Sequence, residues 1–405
     1  MASIVKRGSS YCVVYYTVTH GERKQKWETY YTLEDAEQRR ELLKLCERQR
    51  KQRDSKNVET VAQFMEEYIR LYGLQRWSLS VYQSNCGLIR HYIIPFLGSM
   101  RLSELSPRVV AELYRKLVLL PKAESPYHKG GGRKISVNTL KSIHKVLHSA
   151  FEQAVLWEYM PQNPFHRAAL PKIPPARRPF LTPEQVEAFL NNCRDETLAL
   201  AVHLAFSASL RKGELLALTW KDIDFENRSL HVNKTLARVS REAMEQLNFR
   251  DVLFQFPPVS HELQTMLVLK RPKTDSSVRR IYLPESVLTL LQAYQKMSMD
   301  VAVKGNLEFP DLIFSYPDGR PLQECTISKM FREELDRQCL PKVCFHSLRH
   351  SSITYKLILS GGNIKAVQGD SGHAQADMIT ELYGHILDTS RRENASRFEQ
   401  DFYQK

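Results

Sequence analysis

No stretch of the sequence approaches the roughly 18 uninterrupted apolar residues of a membrane-spanning helix, which argues against a membrane protein. The seven cysteines (Cys12, Cys46, Cys86, Cys193, Cys325, Cys339, Cys344) are odd in number, scattered and never spaced Cys-x-x-Cys. That pattern sets aside a disulfide framework and a zinc ribbon, and it reads as reduced thiols in a cytoplasmic protein. There is no Gly-x-x-x-x-Gly-Lys-[Ser/Thr] phosphate loop and no convincing metal-ligand cluster, so no nucleotide, metal or other cofactor is expected. The first residues, Met1-Ala-Ser-Ile-Val-Lys-Arg7, lack the apolar core of a signal peptide, from which we expect a protein that is not secreted. Tandem repeats and low-complexity tracts are absent as well.

What is present is an ordinary globular composition with a basic excess. Of the 405 residues, 42% are hydrophobic and 25% charged, which excludes a wholly disordered chain and is enough for two to four domains. Lys and Arg number 58 against 45 Asp and Glu, a formal net charge of +13. A soluble chain of this sign is attracted to polyanions, and nucleic acid is the commonest of them.

Punctuation divides the chain. Residues 10–18, rich in Val and Tyr, a turn at His20-Gly21 and the β-prone residues 26–31 predict a small sheet. Thr32, with Asp35 three positions on, predicts the start of a helix through Leu42, Leu43 and Leu45, whose basic end Arg48-Gln-Arg-Lys-Gln-Arg53 is expected to fray into a linker. Val61, Phe64, Met65, Tyr68, Ile69 and Tyr72 form one apolar helical stripe, and Val137, Leu140, Ile143, Leu147, Ala150, Phe151 and Ala154 another. The opposite face of the second helix carries Lys141, His144, Lys145 and His148, and the loop before it is Lys129-Gly-Gly-Gly-Arg133, so a basic side is expected there. Pro171, Pro174, Pro175 and Pro179 mark a stiff linker, after which Thr182-Pro183-Glu184-Gln185 opens a capped helix. The remaining residues read as mostly helical, with a β segment over about 228–283.

Four places in that last unit hold polar residues in apolar surroundings. Leu210-Arg211-Lys-Gly-Glu214 joins two apolar helical runs, and Pro272-Lys273-Thr-Asp-Ser-Ser-Val-Arg279 lies between two β-prone runs, which predicts a hairpin carrying Lys273. His346-Ser-Leu-Arg349-His350 opens a helix, and Gly372-His373 precedes Thr380-Glu-Leu-Tyr383. His346 and His350 have the spacing of two zinc ligands on one helix face, but Ser347 stands where a zinc protease has Glu, and Arg349 on the same turn repels a cation.

Taken in order, Arg211, Lys273, His346-x-x-Arg349, His373 and Tyr383 with their neighbours resemble the active-site motifs of the tyrosine recombinase, or phage-type integrase, family. The resemblance is strong over 180–400 and weaker over 58–165, which look like the family's helical core-binding domain. Residues 1–50 look like the arm-binding domains of integrases from phages and conjugative elements. It implies a multidomain fold: a small β-sheet plus helix N-terminal domain with basic linker (1–57), an all-helical, SAM-like core-binding domain (58–170), a Pro-rich linker (171–179) and a mainly α (α+β) catalytic domain (180–405). Two positions depart from the family's text: Ala208-Ser209 stands where Thr-Gly is usual, and Asp370-Ser371 precede Gly372-His373 where Leu-Gly-His is usual. About 25 residues, 240–264, form a longer connection to Lys273 than the family leads one to expect.

The resemblance implies a site-specific DNA recombinase working through a 3′-phosphotyrosine. Arg211 and Arg349 would clamp the phosphoryl oxygens, His346 would act as acid or base near the attack, and His373 would hydrogen-bond the phosphate. Lys273 would protonate the 5′-oxygen that leaves, and Tyr383 would be the nucleophile. One phosphodiester is exchanged for a bond of similar energy, so no ATP is called for. Glu214 is read as orienting Arg211 or capping a helix rather than as catalytic. Lys141, Lys145, Arg133 and Arg279 are the expected DNA contacts. The implied partners are double-stranded DNA at core and arm sites and further copies of the chain, as a tetramer, together with an excisionase and a host DNA-bending protein. The setting would be cytoplasmic, encoded by a bacterium or phage. Two alternatives remain at this stage: a catalytically silent DNA-binding protein on the same scaffold, and a type IB topoisomerase-like enzyme.

Overall fold

The computed structural model describes residues 3–19, 22–55, 60–120, 134–170, 179–258, 260, 263–272, 274–301, 309–372 and 395–404. Contacts divide the chain into two compact units: Met1–Arg70 with Leu88–Leu170, and Leu71–Gly87 with Pro171–Lys405. Among the described residues, no helix is long and apolar enough to cross a membrane.

The first unit opens with an antiparallel sheet of three strands in the order β1 (Ser3–Arg7), β2 (Ser10–Thr19) and β3 (Glu22–Tyr30), one strand more than the sequence reading finds. Thr32 Oγ1 accepts the Asp35 N–H at 3.2 Å and starts the helix Leu33–Ser55. The basic run Arg48–Arg53 does not fray. It stays helical to Ser55, because Arg, Lys and Gln are good helix formers and cations are favoured at a helix C-terminus. Sheet and helix are tied by Glu28, which accepts from Tyr15 Oη at 2.5 Å, Tyr30 Oη at 3.0 Å and the Arg39 guanidinium at 2.8 and 3.1 Å. The hydrogen bonds from Arg39 and then Tyr15 hold the Glu28 carboxyl down at about 2. A carboxyl whose folded pKa is depressed stabilises above its unfolded pKa and loses that contribution as pH falls through the folded value. Acidification from pH 5 to pH 2 is therefore expected to destabilise the sheet–helix contact, and a Glu28→Gln protein should lack that part of the acid response when tyrosine fluorescence is followed.

In the helical part, Thr60 and Gln63 make a reciprocal capping box that opens Val61–Tyr68. Phe64 packs on Phe151 of the helix Val137–Leu156 at 5.3 Å between ring centroids, and Phe151 on Phe165 at 4.9 Å. Both apolar stripes are thus core: Leu140, Ile143, Leu147, Ala150 and Phe151 are buried, while Lys141 and Lys145 are exposed.

The second unit contains two further three-stranded sheets. One has the order β4 (Ile223–Asp224), β5 (Ser229–Val232), β9 (Arg279–Tyr282); the other has β6 (Thr235–Ser240), β8 (Thr265–Lys270), β7 (Val252–Gln255). This corrects the expected Lys273 hairpin. The strands flanking Lys273 do not pair with each other: β8 pairs with β6 and β7, and β9 with β5. β8 and β9 thus belong to different sheets, and Lys273, between them in the sequence, is outside the described residues. The long connection over 240–264 forms the short helix Arg241–Gln246 and then β7, which adds the third strand to its sheet.

Around the sheets pack the helices Pro183–Asn192, Glu196–Ser207, Glu285–Val301 and Glu324–Arg337. Leu200, Leu204, Leu215, Leu230, Ile281, Phe314 and Phe331 belong to one apolar core. Thr182 and Gln185 form the capping box that the sequence predicts. On this core rests the helix Ser347–Leu359, and Ile364–Ser371 follows it.

Candidate active site

Arg211 stands at the N-cap of the short helix Lys212–Leu216, where the chain turns out of the buried run ending at Leu210. The Glu214 carboxylate accepts from the Arg211 main-chain N–H at 3.0 Å and from its Nη1 at 2.7 Å, so one carboxylate fixes both the backbone and the side chain of the arginine. Arg279 approaches the other side of Glu214, with its Nη2 2.9 Å from Oε2. Burial alone would raise the Glu214 pKa; the hydrogen bond and charge of Arg279, with the charge of Arg211, bring it below the usual carboxylate range.

Three guanidiniums end on three consecutive peptide carbonyls at the C-terminus of Ile364–Ser371. Arg279 Nε donates to Asp370 O at 2.7 Å, Arg349 Nη2 to Ser371 O at 2.5 Å, and Arg211 Nη2 to Gly372 O at 3.3 Å. The last carbonyls of a helix lack intrahelical partners and carry its negative dipole end, so cations are favoured there. Gly372 closes the helix in the left-handed region, φ +62°. A Cβ there would meet Arg279 Nη1 at 3.0 Å and Ser276 O at 3.1 Å, so glycine is required both for conformation and for space. The residue after this fixed point is His373.

Arg349 is 2% exposed and also donates to Ser209 O at 2.5 Å. Ser209 lies where the family's text has glycine, and the reason is now visible: its φ is +52°, a region that costs an L-residue roughly 1–2 kcal/mol. The Arg349 bond to its carbonyl and a 2.6 Å hydrogen bond between its hydroxyl and that of Ser352 hold it there. In Asp370-Ser371, the side chain of Asp370 pairs with Lys356 at 2.6 Å and Ser371 is fully buried, so this departure also packs locally.

His346 precedes the helix that carries Arg349 and is exposed, with its ring 5.3 Å from that of His350. It lines a cavity of about 490 Å³ together with Lys212, Ser328, Arg332 and Lys342. Of the six expected active-site residues, the structure brings Arg211 and Arg349 onto adjacent carbonyls and leaves His346 exposed at the head of the Arg349 helix. Lys273, His373 and Tyr383 lie outside the described residues, as does Arg133.

Arg279, which the sequence reading expects to contact DNA, is 8% exposed, and its guanidinium is held by Glu214, Asp370 O and Ser277 O. It braces the site from behind. The signal was in the alternation of β9, which places Arg279 on the same inward face as Ile281. Removing one partner of a buried pair costs up to about 3–5 kcal/mol, and although Glu214 keeps Arg211, the buried carbonyls of Asp370 and Ser277 lose their donor as well. Arg279→Met is therefore expected to lower the unfolding free energy by about that much in a denaturant titration, and Arg279→Met with Glu214→Leu by less than the sum of the two single changes.

Comparison with known proteins agrees with this geometry. Residues 179–390, more than half of the chain, match the phage integrase family, and residues 60–118 match the phage integrase N-terminal SAM-like domain. The chain is 25% identical over 310 residues to a tyrosine recombinase XerC-like protein of Caldanaerobacter subterraneus, covering 72% of this chain and 70% of that one. Among solved structures, it resembles the Tn1549 transposon integrase in complex with a circular intermediate DNA, at TM-score 0.66 and 23% identity, over 84% of this chain and 99% of that one. It also resembles a lambda integrase tetramer bound to a Holliday junction, at TM-score 0.53 and 16% identity, over 92% and 96%. With its arginines gathered on the Asp370–Gly372 turn and its family match spanning the whole catalytic segment, this chain belongs to the phage integrase family of tyrosine recombinases.

Proposed function

We propose that the protein integrates or excises a mobile DNA element, cutting and rejoining strands through a covalent 3′-phosphotyrosine on Tyr383. The observation that carries this reading is the convergence of Arg211 and Arg349 on neighbouring carbonyls beside Gly372, directly before His373. Two guanidiniums held in this way offer fixed positive charge where a phosphoryl group develops negative charge, the largest contribution available to such a reaction.

The Tyr383 oxygen attacks the scissile phosphorus and gives up its proton, with His346 as the acid/base. The P–O5′ bond breaks, Lys273 supplies the proton to the 5′-oxygen, and His373 steadies a non-bridging oxygen. The reverse attack, by the 5′-hydroxyl of another strand, releases the tyrosine and completes the exchange. Two duplexes have four strands to exchange, and each chain supplies one Tyr383, so the working assembly is a homotetramer. In this reading, residues 1–57 hold arm-type DNA and 58–170 hold core DNA through exposed Lys141 and Lys145. Residues 171–179 link them to the catalytic residues 180–405. An excisionase and a host DNA-bending protein set the direction, and the complex works in the cytoplasm on the nucleoid.

The test uses a duplex carrying the element's own end, nicked just 3′ of the cleavage point so that the short piece released with a 5′-hydroxyl diffuses away. The wild-type chain should form a band that survives denaturation, and peptide mapping should place the nucleotide on Tyr383. Tight binding with no covalent band would instead establish the DNA-binding scaffold without chemistry.

A further inference from the structure

On the helix Val137–Leu156, Lys141, Lys145, His148 and Glu152 follow at intervals of four, three and four, so they lie on one stripe. The stripe is cationic until its end, where Glu152 would repel a phosphate. The chain then turns back, and Asn163 Nδ2 bonds both the His148 main-chain O at 3.1 Å and Glu152 Oε1 at 2.8 Å. This turn carries His166 to the same carboxylate. Glu152 Oε1 is 3.7 Å from His148 Nε2 and 3.7 Å from His166 Nδ1, and one donor atom from each of the three residues lies within 4.8 Å of the other two.

We propose that His148, Glu152 and His166 bind one divalent transition-metal cation, Zn²⁺ by the character of the ligands. Two imidazoles and a carboxylate are a ligand set that zinc takes, with water in the fourth place. Metal–ligand bonds of about 2.0–2.2 Å put neighbouring donors of a tetrahedron about 3.4 Å apart, close to the two 3.7 Å spacings. Asn163 behind the carboxylate is the partner that orients a metal ligand. All three side chains are at least one-third exposed, so they can turn inward without disturbing the core. His144 is taken up elsewhere, with its Nδ1 2.7 Å from Tyr114 Oη. The sequence reading finds no such cluster because His166 comes from a separate turn.

The ion has two effects. It pins the Asn163–His166 turn to the helix. It also replaces one negative charge at the end of the lysine stripe by a net positive one, which extends the surface that holds the DNA backbone. The second effect rests on the DNA-binding reading above; the first does not.

The experiment titrates the full-length, chelator-treated chain with Co²⁺, followed by Zn²⁺ as competitor. One Co²⁺ per chain is expected, with visible d–d bands but without thiolate-to-cobalt charge transfer, which separates this site from the cysteines. His166→Ala removes an exposed ligand and should weaken uptake by at least the ~10–100-fold that loss of a partner behind a ligand costs. Uptake equal in wild type and His166→Ala, a thiolate signature, or no uptake overturns the site. With Zn²⁺ present, the logarithmic salt dependence of wild-type binding to a core duplex should steepen by about 0.9, and that of His166→Ala should not. An unchanged slope in a metal-loaded wild type overturns the electrostatic role alone. Absence of any DNA binding counts against the functional reading and leaves the cobalt result standing.

Discussion

A Tyr383→Phe protein is expected to form no covalent adduct with the nicked duplex while binding it as tightly as the wild type. The change removes one oxygen and keeps the ring, so only the nucleophile is lost. Phenol is a weak nucleophile at neutral pH, with a free pKa of about 10, and its attack depends on losing the proton to a placed base. Phenylalanine offers no oxygen, so the loss should be complete on the time scale of the assay rather than a fractional slowing. Affinity and its salt dependence come from lysines and arginines meeting phosphates, which the change does not touch. An adduct that persists in Tyr383→Phe would move the nucleophile to another side chain.

The second large effect is expected from Arg211→Lys. Lysine keeps the charge and can still face the Glu214 carboxylate. It has no planar fork, so it cannot hold Glu214 Oε1 and Gly372 O together as Arg211 does at 2.7 and 3.3 Å. An arginine that neutralises charge in phosphoryl transfer is worth ~10³–10⁵ in rate, and a lysine in its place recovers only the undirected part of that. Adduct formation in a single turnover should slow by about 10³-fold. Stability should change little, since the Arg211 side chain is 37% exposed. Arg279→Met should show the reverse, a large loss of stability, because that side chain is 5% exposed. Measuring both variants by adduct rate and by denaturant midpoint separates an arginine that faces the phosphate, as proposed for Arg211, from one that braces the site.

These two arginines also show how far the sequence could be read. Local rules carried well: the Thr182–Gln185 and Thr32–Asp35 helix starts, the two apolar stripes and the β segment all follow from spacing within a few residues. The position of Arg211 ahead of Glu214 and the bond between them were legible for the same reason, being three residues apart. What failed was non-local. β8 and β9 flank one short loop and look like a hairpin, yet each finds its partners elsewhere in the chain. Arg279 sits among charged neighbours in a motif that invites a DNA contact, and only its register on β9 gives away that it points inward. The placement of a glycine at the family's usual position before Leu210 became explicable once the backbone of Ser209 was seen to lie at positive φ.

The seam of arginines and carbonyls has a further consequence. Among the described residues, Arg211 and Arg279 share one carboxylate, Glu214, and the carbonyls that cap their other ends are dipoles and not counter-charges. Two guanidiniums against one carboxylate leave this seam with an excess of positive charge before DNA arrives, and like charges at close range work against the compact state. A bound phosphodiester restores part of that balance. The substrate is then also a folding ligand: any tetrahedral oxyanion that enters the seam should raise the melting temperature of this unit by mass action, and do so less in Arg211→Lys. A catalytic surface of this kind is kept ready at some expense in its own stability, and the DNA it acts on supplies the missing anion.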